Sequence, residues 1–178
     1  SVKKVPALKG KSVLTLFYEP STRTRSSFEV AAERLSADVT NFTVSTSSVV
    51  KGESVQDTIA TLQAMKVDYV IVRHYNSGLP NVIARHTNAS VVNAGDGAHA
   101  HPSQALLDSF TIREMFPDVR GRRVLIVGDI LHSRVARSTS ILMKRLGMEV
   151  AYLGPGSLVP RTEYSGIPRF SDFNEAFA

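Results

Sequence analysis

Apolar residues along the chain alternate between short β-branched runs and helical spacings, the order expected of βαβ units built around a mainly parallel sheet. Strands are predicted at Ser12–Tyr18, Val39–Val44, Tyr69–Arg73, Ser90–Asn93, Val124–Val127 and Val150–Leu153. After Ser21, the expected N-cap, Phe28, Ala31, Ala32 and Leu35 fall at i, i+3, i+4 and i+7. One face of that helix then packs on a sheet while Glu29, Glu33 and Arg34 turn to water. Ser54 followed by Asp57 resembles a capping box, with Val55, Ile59 and Leu62 as the apolar stripe behind it. A short helix is expected around Pro80–Arg85. A longer one begins at Pro102, whose fixed φ suits a first turn, and runs through Leu106, Leu107 and Phe110 to Phe116, where Pro117 stops it.

Beyond Pro117, Asp118 and Gly121 the β-then-α pattern restarts. Val124–Val127 leads to Val135, Leu142 and Leu146 on one helical face, with Gly147 as the stop. The tail holds a turn-rich stretch from Gly154, a short strand near Pro168–Phe170 and the start of a helix at Asp172–Ala178. The pattern breaks off before the next expected strand. The predicted fold is therefore α/β: a parallel-sheet βαβ domain over 1–101, a connecting helix over 102–117, and the beginning of a second α/β domain over 118–178. Fixed-period repeats, low-complexity tracts and coiled-coil heptads are absent from the sequence.

With 43% hydrophobic and 21% charged residues among 178, the chain can bury an ordinary core. Apolar runs such as Tyr69–Val72 and Val124–Val127 span four residues, far short of the roughly 18–20 that cross a bilayer, so a soluble protein without membrane contact is expected. There is no cysteine, which removes a disulfide framework, a thiolate nucleophile and a cysteine zinc site, and makes a reducing cytoplasm the default location. Ser1–Lys11 carries four lysines and no apolar segment, unlike a secretory signal. The lack of an initiator Met suggests that a native start is missing. Lys+Arg exceed Asp+Glu by 21 to 16, giving +5, while aromatics are 7% and Trp is absent. A nucleic-acid surface needs cations along one face with aromatics for stacking, and no such stripe occurs.

In open parallel sheets ligands bind outside the carboxyl ends of the strands. The first strand leads to Pro20-Ser21-Thr22-Arg23-Thr24-Arg25 and the second to Ser45-Thr46-Ser47-Ser48 and Lys51-Gly52-Glu53. The third ends in Arg73 and His74. The fourth leads to Asp96, His99, His101 and Gln104, and the fifth to Asp129, His132, Ser133 and Arg134. Ser-Thr-Arg-Thr-Arg at a helix start suits a phosphate, because free N–H groups and the positive dipole end already attract an anion. Arg23 adds a fork that matches phosphate oxygens, whereas Lys51 acts as a movable point charge. The alternative is that Ser21 and Thr22 merely cap the helix and Arg23 is solvated; Arg25 is assigned to a structural role. Lys51 has the alternative of an ordinary surface lysine. Arg73 ends an apolar strand and so needs an anion, either a ligand or a structural carboxylate. Asp96, His99 and His101 invite a metal, but with no HExxH, no cysteine and no further ligand cluster a metal is not expected. His101, at a helix start, is better used as a neutral donor to a polarised carbonyl. Gln104, one turn on, can accept from an N–H group; the alternatives are an N-cap histidine and a surface amide. Neither the Gly128 nor the Gly154 turn completes a dinucleotide fingerprint, and there is no nucleotide P-loop or serine-hydrolase elbow.

Phe17-Tyr18-Glu19-Pro20-Ser21-Thr22-Arg23-Thr24-Arg25-Ser26-Ser27-Phe28-Glu29, then Lys51-Gly52-Glu53 with Asp57-Thr58, Val72-Arg73-His74, and His101-Pro102-Ser103-Gln104-Ala105-Leu106-Leu107-Asp108 resemble the aspartate/ornithine carbamoyltransferase family over roughly residues 11–155. Asn93-Ala94-Gly95-Asp96-Gly97 and Lys51-Gly52-Glu53 are closer to the catalytic chain of the aspartate enzymes than to the ornithine branch. The resemblance implies that 1–101 is a carbamoyl-phosphate domain and 118–178 part of an aspartate domain. It implies transfer of a carbamoyl group from carbamoyl phosphate to L-aspartate in pyrimidine biosynthesis, without metal or organic cofactor. It assigns Ser21, Thr22, Arg23 and Thr24 to the phosphate; Arg73, Thr24 and His101 to the carbamoyl oxygen; Gln104 to the carbamoyl NH₂; and Arg134 to an acceptor carboxylate. Ser47 and Lys51 would enter from the adjacent subunit of a homotrimer, and regulatory chains or a dihydroorotase are further implied partners. Another amine acceptor such as ornithine, or a non-catalytic phosphate-binding fragment, is the alternative. The family's N-terminal helix and its second carboxylate-binding arginine lie outside these residues, so the 178 residues alone are expected to bind phosphate weakly and not to turn over.

Overall fold

The computed structural model describes residues 3–43 and 55–177. Two compact units result, Ser1–Gly97 and Ala98–Ala178, each with its own parallel sheet. In the first, strands β1 (Ser12–Phe17), β2 (Asp38–Thr43), β3 (Tyr69–His74) and β4 (Ser90–Asp96) lie in the order β2-β1-β3-β4. They alternate with helices α1 (Thr22–Arg34), α2 (Val55–Met65) and α3 (Leu79–His86). Because crossover helices cover both faces of such a sheet, the central strands are buried on both sides. Leu14, Leu16, Val70 and Val72 pack against Ile59 and Leu62 of α2 and Leu79 and Ile83 of α3. Val13, Phe17 and Ile71 point the other way and pack against Ala32 and Phe28 of α1. Of the expected helical face after Ser21, Phe28 and Ala32 meet the sheet, whereas Ala31 and Leu35 are exposed and Glu29, expected to turn to water, is half-buried.

Strand β4 runs three residues past the expected end at Asn93, reaching Asp96. The polar side chains of this extension, Asn93 and Asp96, are consumed within the fold. Asn93 Nδ2 donates to Asp96 Oδ1 at 2.8 Å, Gly95 N donates to Asn93 Oδ1 at 2.8 Å, and Gly78 N donates to Asp96 Oδ2 at 2.6 Å. A register shift between Val72 and His74 absorbs the irregularity on the neighbouring strand. The expected Ser54 capping box lies outside the described residues.

In the second unit, β5 (Arg123–Val127), β6 (Glu149–Leu153) and β7 (Arg169–Phe170) pair in the order β5-β6-β7. Helices α4 (Pro102–Met115), α5 (Arg134–Arg145), α6 (Thr162–Ser165) and α7 (Phe173–Phe177) complete it. The core is Val119, Ile130, Met143, Met148, Val150, Tyr152, Val159 and Ile167. On helix α4 the large apolar residues Leu106, Leu107 and Phe110 are exposed, and small Ala105 and Ser109 are buried. Ser109 Oγ donates to the Ala105 carbonyl at 2.7 Å and lies 3.9 Å from the Met143 sulfur on α5. Small residues let the two helices approach closely, so it is volume rather than hydrophobicity that selects this contact face. Among the described residues, no helix is long and apolar enough to cross a membrane.

Candidate active site

The carboxyl end of β1 turns into α1 through Ser21, which occupies the N-cap position with extended-side backbone but whose hydroxyl makes no cap hydrogen bond. Capping therefore does not account for Ser21, and the first turn, Thr22, Arg23 and Thr24, carries no acidic residue to neutralise the helix's positive end. Thr22 and Arg23 are exposed and Thr24 is half-buried. Ser27 Oγ donates to the Thr24 carbonyl at 2.8 Å, tightening this turn.

Strand register brings Arg73 to the same place. Phe17 pairs with Arg73 across the β1–β3 ladder, and Tyr18 N donates to the Arg73 carbonyl at 2.9 Å. The Arg73 guanidinium then lies between two side chains: Nε donates to Glu19 Oε2 at 3.0 Å and Nη1 to Thr24 Oγ1 at 3.3 Å. Both members of the ion pair are largely shielded, at 14% and 24% side-chain exposure. The sequence left open whether Arg73 meets a ligand or a structural carboxylate; the fold supplies a carboxylate and aims the rest of the fork at the Ser-Thr-Arg turn. Glu19 was not singled out from the sequence. Its signal was an acidic residue at the end of an apolar strand, directly before a cationic turn.

His74, grouped with the donors at this rim, belongs to the core instead. It is 2% exposed, its Nδ1 accepts from Asn76 N at 2.8 Å, and its ring meets Tyr18 edge-on at 4.5 Å. Burial pushes its pKa below the usual imidazole value. Asp96 is fully buried and serves the β4 turn. Among the described residues, no three His, Asp or Glu side chains gather as a metal-ligand set. The Arg25 guanidinium carbon lies 5.7 Å from the Phe17 ring centroid, within range of a cation–π contact.

In the second unit, His101 occupies the N-cap position of α4, 6% exposed, again with no side-chain cap. Its backbone N donates to Ser138 Oγ at 2.8 Å, and its Nδ1 lies 3.3 Å from Ser103 Oγ. Gln104 is half-buried one turn on, and its Nε2 donates to Asp108 Oδ1 at 2.8 Å. Arg134 is the first residue of α5, directly after Ser133, whose hydroxyl accepts from Ala136 N at 3.1 Å and caps the helix. Just upstream, His132 Nδ1 sits 2.9 Å from Asp129 Oδ2, and this contact holds the Asp129 carboxyl below its ordinary pKa. The first unit thus joins Thr24 and Arg73 at the phosphate-type turn, and the second gathers His101 and Gln104 at one helix start and Arg134 at another. Ser47 and Lys51 lie outside the described residues.

Residues 1–114 match the family model of the aspartate/ornithine carbamoyltransferase carbamoyl-P binding domain. The chain belongs to this family. Aspartate carbamoyltransferase catalytic subunits are among its similar relatives: that of Akkermansia muciniphila is 97% identical over 178 residues, all of this chain, and that of Endomicrobium trichonymphae is 58% identical over 177 residues. The chain spans 58% and 57% of those two relatives' lengths. Among solved structures, aspartate transcarbamoylase from Trypanosoma cruzi with aspartate and phosphate superposes at a TM-score of 0.83 and 32% identity, over 94% of this chain and 57% of that one. The same enzyme with carbamoyl phosphate and aspartate gives 0.81 and 32%, over 93% of this chain and 55% of that one. The parallel α/β fold is that of the carbamoyltransferases.

Proposed function

We propose that this chain provides the carbamoyl-phosphate half, and part of the acceptor half, of an enzyme that transfers the carbamoyl group of carbamoyl phosphate to the amine of L-aspartate, giving N-carbamoyl-L-aspartate and phosphate. The observation that carries this is the Arg73 fork, one nitrogen on Glu19 and another on Thr24 of the acid-free helix start. It is a shielded cation held against a phosphate-type turn at the carboxyl edge of a parallel sheet. The likeness to aspartate carbamoyltransferase catalytic subunits supports aspartate as the acceptor.

In this reading Ser21, Thr22, Arg23 and Thr24 hold the phosphate, and Arg73, Thr24 and His101 draw charge onto the carbamoyl oxygen. Gln104 accepts from the carbamoyl NH₂, and Arg134 grips a carboxylate of aspartate. The aspartate amine attacks the carbonyl carbon; a C–N bond forms, the C–O bond to phosphorus breaks, and phosphate leaves with the electron pair as the amine releases its proton. No side-chain nucleophile is needed, so catalysis rests on positioning and on donors aimed at the developing oxyanion. Ser47 and Lys51 complete the site from the neighbouring subunit of a homotrimer, and the enzyme works in the cytoplasm. Regulatory chains or a dihydroorotase are the further partners this reading admits.

Steady-state assays of the full-length enzyme with aspartate and with ornithine test the assignment. Product is expected with aspartate only, and Arg73→Ala is expected to lower kcat by about 10²–10³, the cost of losing one oxyanion donor. Turnover of ornithine in place of aspartate, or an Arg73→Ala enzyme of unchanged rate, overturns it.

A further inference from the structure

We infer that Asp108, braced by Thr139, is a positioning residue that fixes which end of the Gln104 amide faces the substrate. This rests on the carbamoyl-binding role proposed above for Gln104. Gln104 and Asp108 stand at i and i+4 on α4 and so share a face. Gln104 Nε2 donates to Asp108 Oδ1 at 2.8 Å, and Thr139 Oγ1, on α5, donates to Asp108 Oδ2 at 3.2 Å. Thr139 is buried on the α5 face that carries Ala136, Ser140 and Met143, so the carboxylate is held from two helices.

The chemistry decides the orientation. A carboxylate has lone pairs and no hydrogen to give, so only the NH₂ end of the amide can face it. The Gln104 carbonyl oxygen is thereby turned away from Asp108 as an acceptor. The carbamoyl group presents a carbonyl oxygen, which needs donors, and an NH₂, which needs an acceptor. An amide free to flip would offer the wrong end part of the time; one locked by Asp108 selects the NH₂. The Thr139 hydroxyl keeps the second carboxylate oxygen occupied, which stops the acid from rotating away. The network makes the site read the difference between an amino and a methyl group on the same acyl phosphate.

Acetyl phosphate carries that methyl group and is the discriminating probe. Binding of carbamoyl phosphate and acetyl phosphate is measured by calorimetry on the wild-type protein and on Asp108→Asn, Thr139→Val and Thr139→Ser. Wild type is expected to favour carbamoyl phosphate. Asp108→Asn can present its own NH₂ to Gln104, so both amide orientations become available, and the preference is expected to fall about tenfold, the worth of one hydrogen bond. Binding of acetyl phosphate should hardly change. Thr139→Val should weaken the preference in the same direction, and Thr139→Ser should restore it. Equal weakening of both ligands in Asp108→Asn would make the residue merely structural and overturn the inference while leaving the function intact. A wild-type protein that binds neither ligand overturns both.

Discussion

Arg73 is shaped by two neighbours of opposite use. Glu19 supplies the charge that lets a guanidinium remain at a shielded strand end, and Thr24 ties the same fork to the phosphate-type turn. His74, one residue on, is buried, and its burial has a consequence for acid stability. Because the folded state keeps the ring neutral below its ordinary value of 6.5, an unfolded chain takes up a proton there that the folded chain refuses. Stability therefore falls as pH drops below about 6.5. Asp68 acts in a second window. Lys11 Nζ at 2.7 Å and Ser12 N at 2.9 Å hold its carboxyl down from 3.8 to about 2. The unfolded carboxylate protonates first, so stability is lost as pH falls from about 3.8 toward 2. Urea unfolding across pH 8 to 2 is expected to show both losses, the upper one gone in His74→Asn and the lower one gone in Asp68→Asn. An unchanged pH profile in His74→Asn would mean that this ring titrates normally in the folded protein. Neither effect was legible in the sequence, where His74 read as one of the donors at the strand ends and Asp68 carried no mark at all.

At the scale of elements, the strand and helix order could be read directly, since period-2 and period-3.6 patterns depend only on which face is buried. The ends of elements could not. The fourth strand was expected to end at Asn93, and the partners Gly78 and His74 explain why β4 continues to Asp96 before the chain bends. Gly97 N donates to the His74 carbonyl at 2.9 Å, with φ at +51°. A Cβ there would lie 2.6 Å from Ser77 Oγ and 2.7 Å from the Tyr75 carbonyl oxygen. Gly97→Ala is expected to destabilise the protein by about 2 kcal/mol or more, from the left-handed backbone and the clash together, as read by denaturant unfolding. A change within about 0.5 kcal/mol would show that the 75–78 turn yields freely. Helix α4 teaches the complementary lesson. Its large apolar residues Leu106, Leu107 and Phe110 are exposed, while Ala105 and Ser109 are buried, and small residues give no periodic hydrophobic signal.

At the scale of the molecule, the proposed homotrimer makes a sharp demand on Lys51. If each site takes Lys51 from the neighbouring subunit, then Lys51→Ala and Arg23→Ala chains, each inactive alone, should regain part of the wild-type rate when unfolded and refolded together, because a mixed trimer contains sites with both residues intact. Steady-state rates of the mixture check this, and no recovery would put the two residues in one chain's site. The sequence by itself determined the α/β class, the order of elements and the chemical inventory at the strand ends, because those follow from local periodicity and from which residue types suit an anion or a carbonyl. Tertiary structure alone decided the partners. Glu19 meets Arg73 across 54 positions, Asp96 meets Gly78 across 18 and Thr139 meets Asp108 across 31. Strand register and helix contact select those pairs, and periodicity constrains a side chain only to a face, not to the neighbour it finds there.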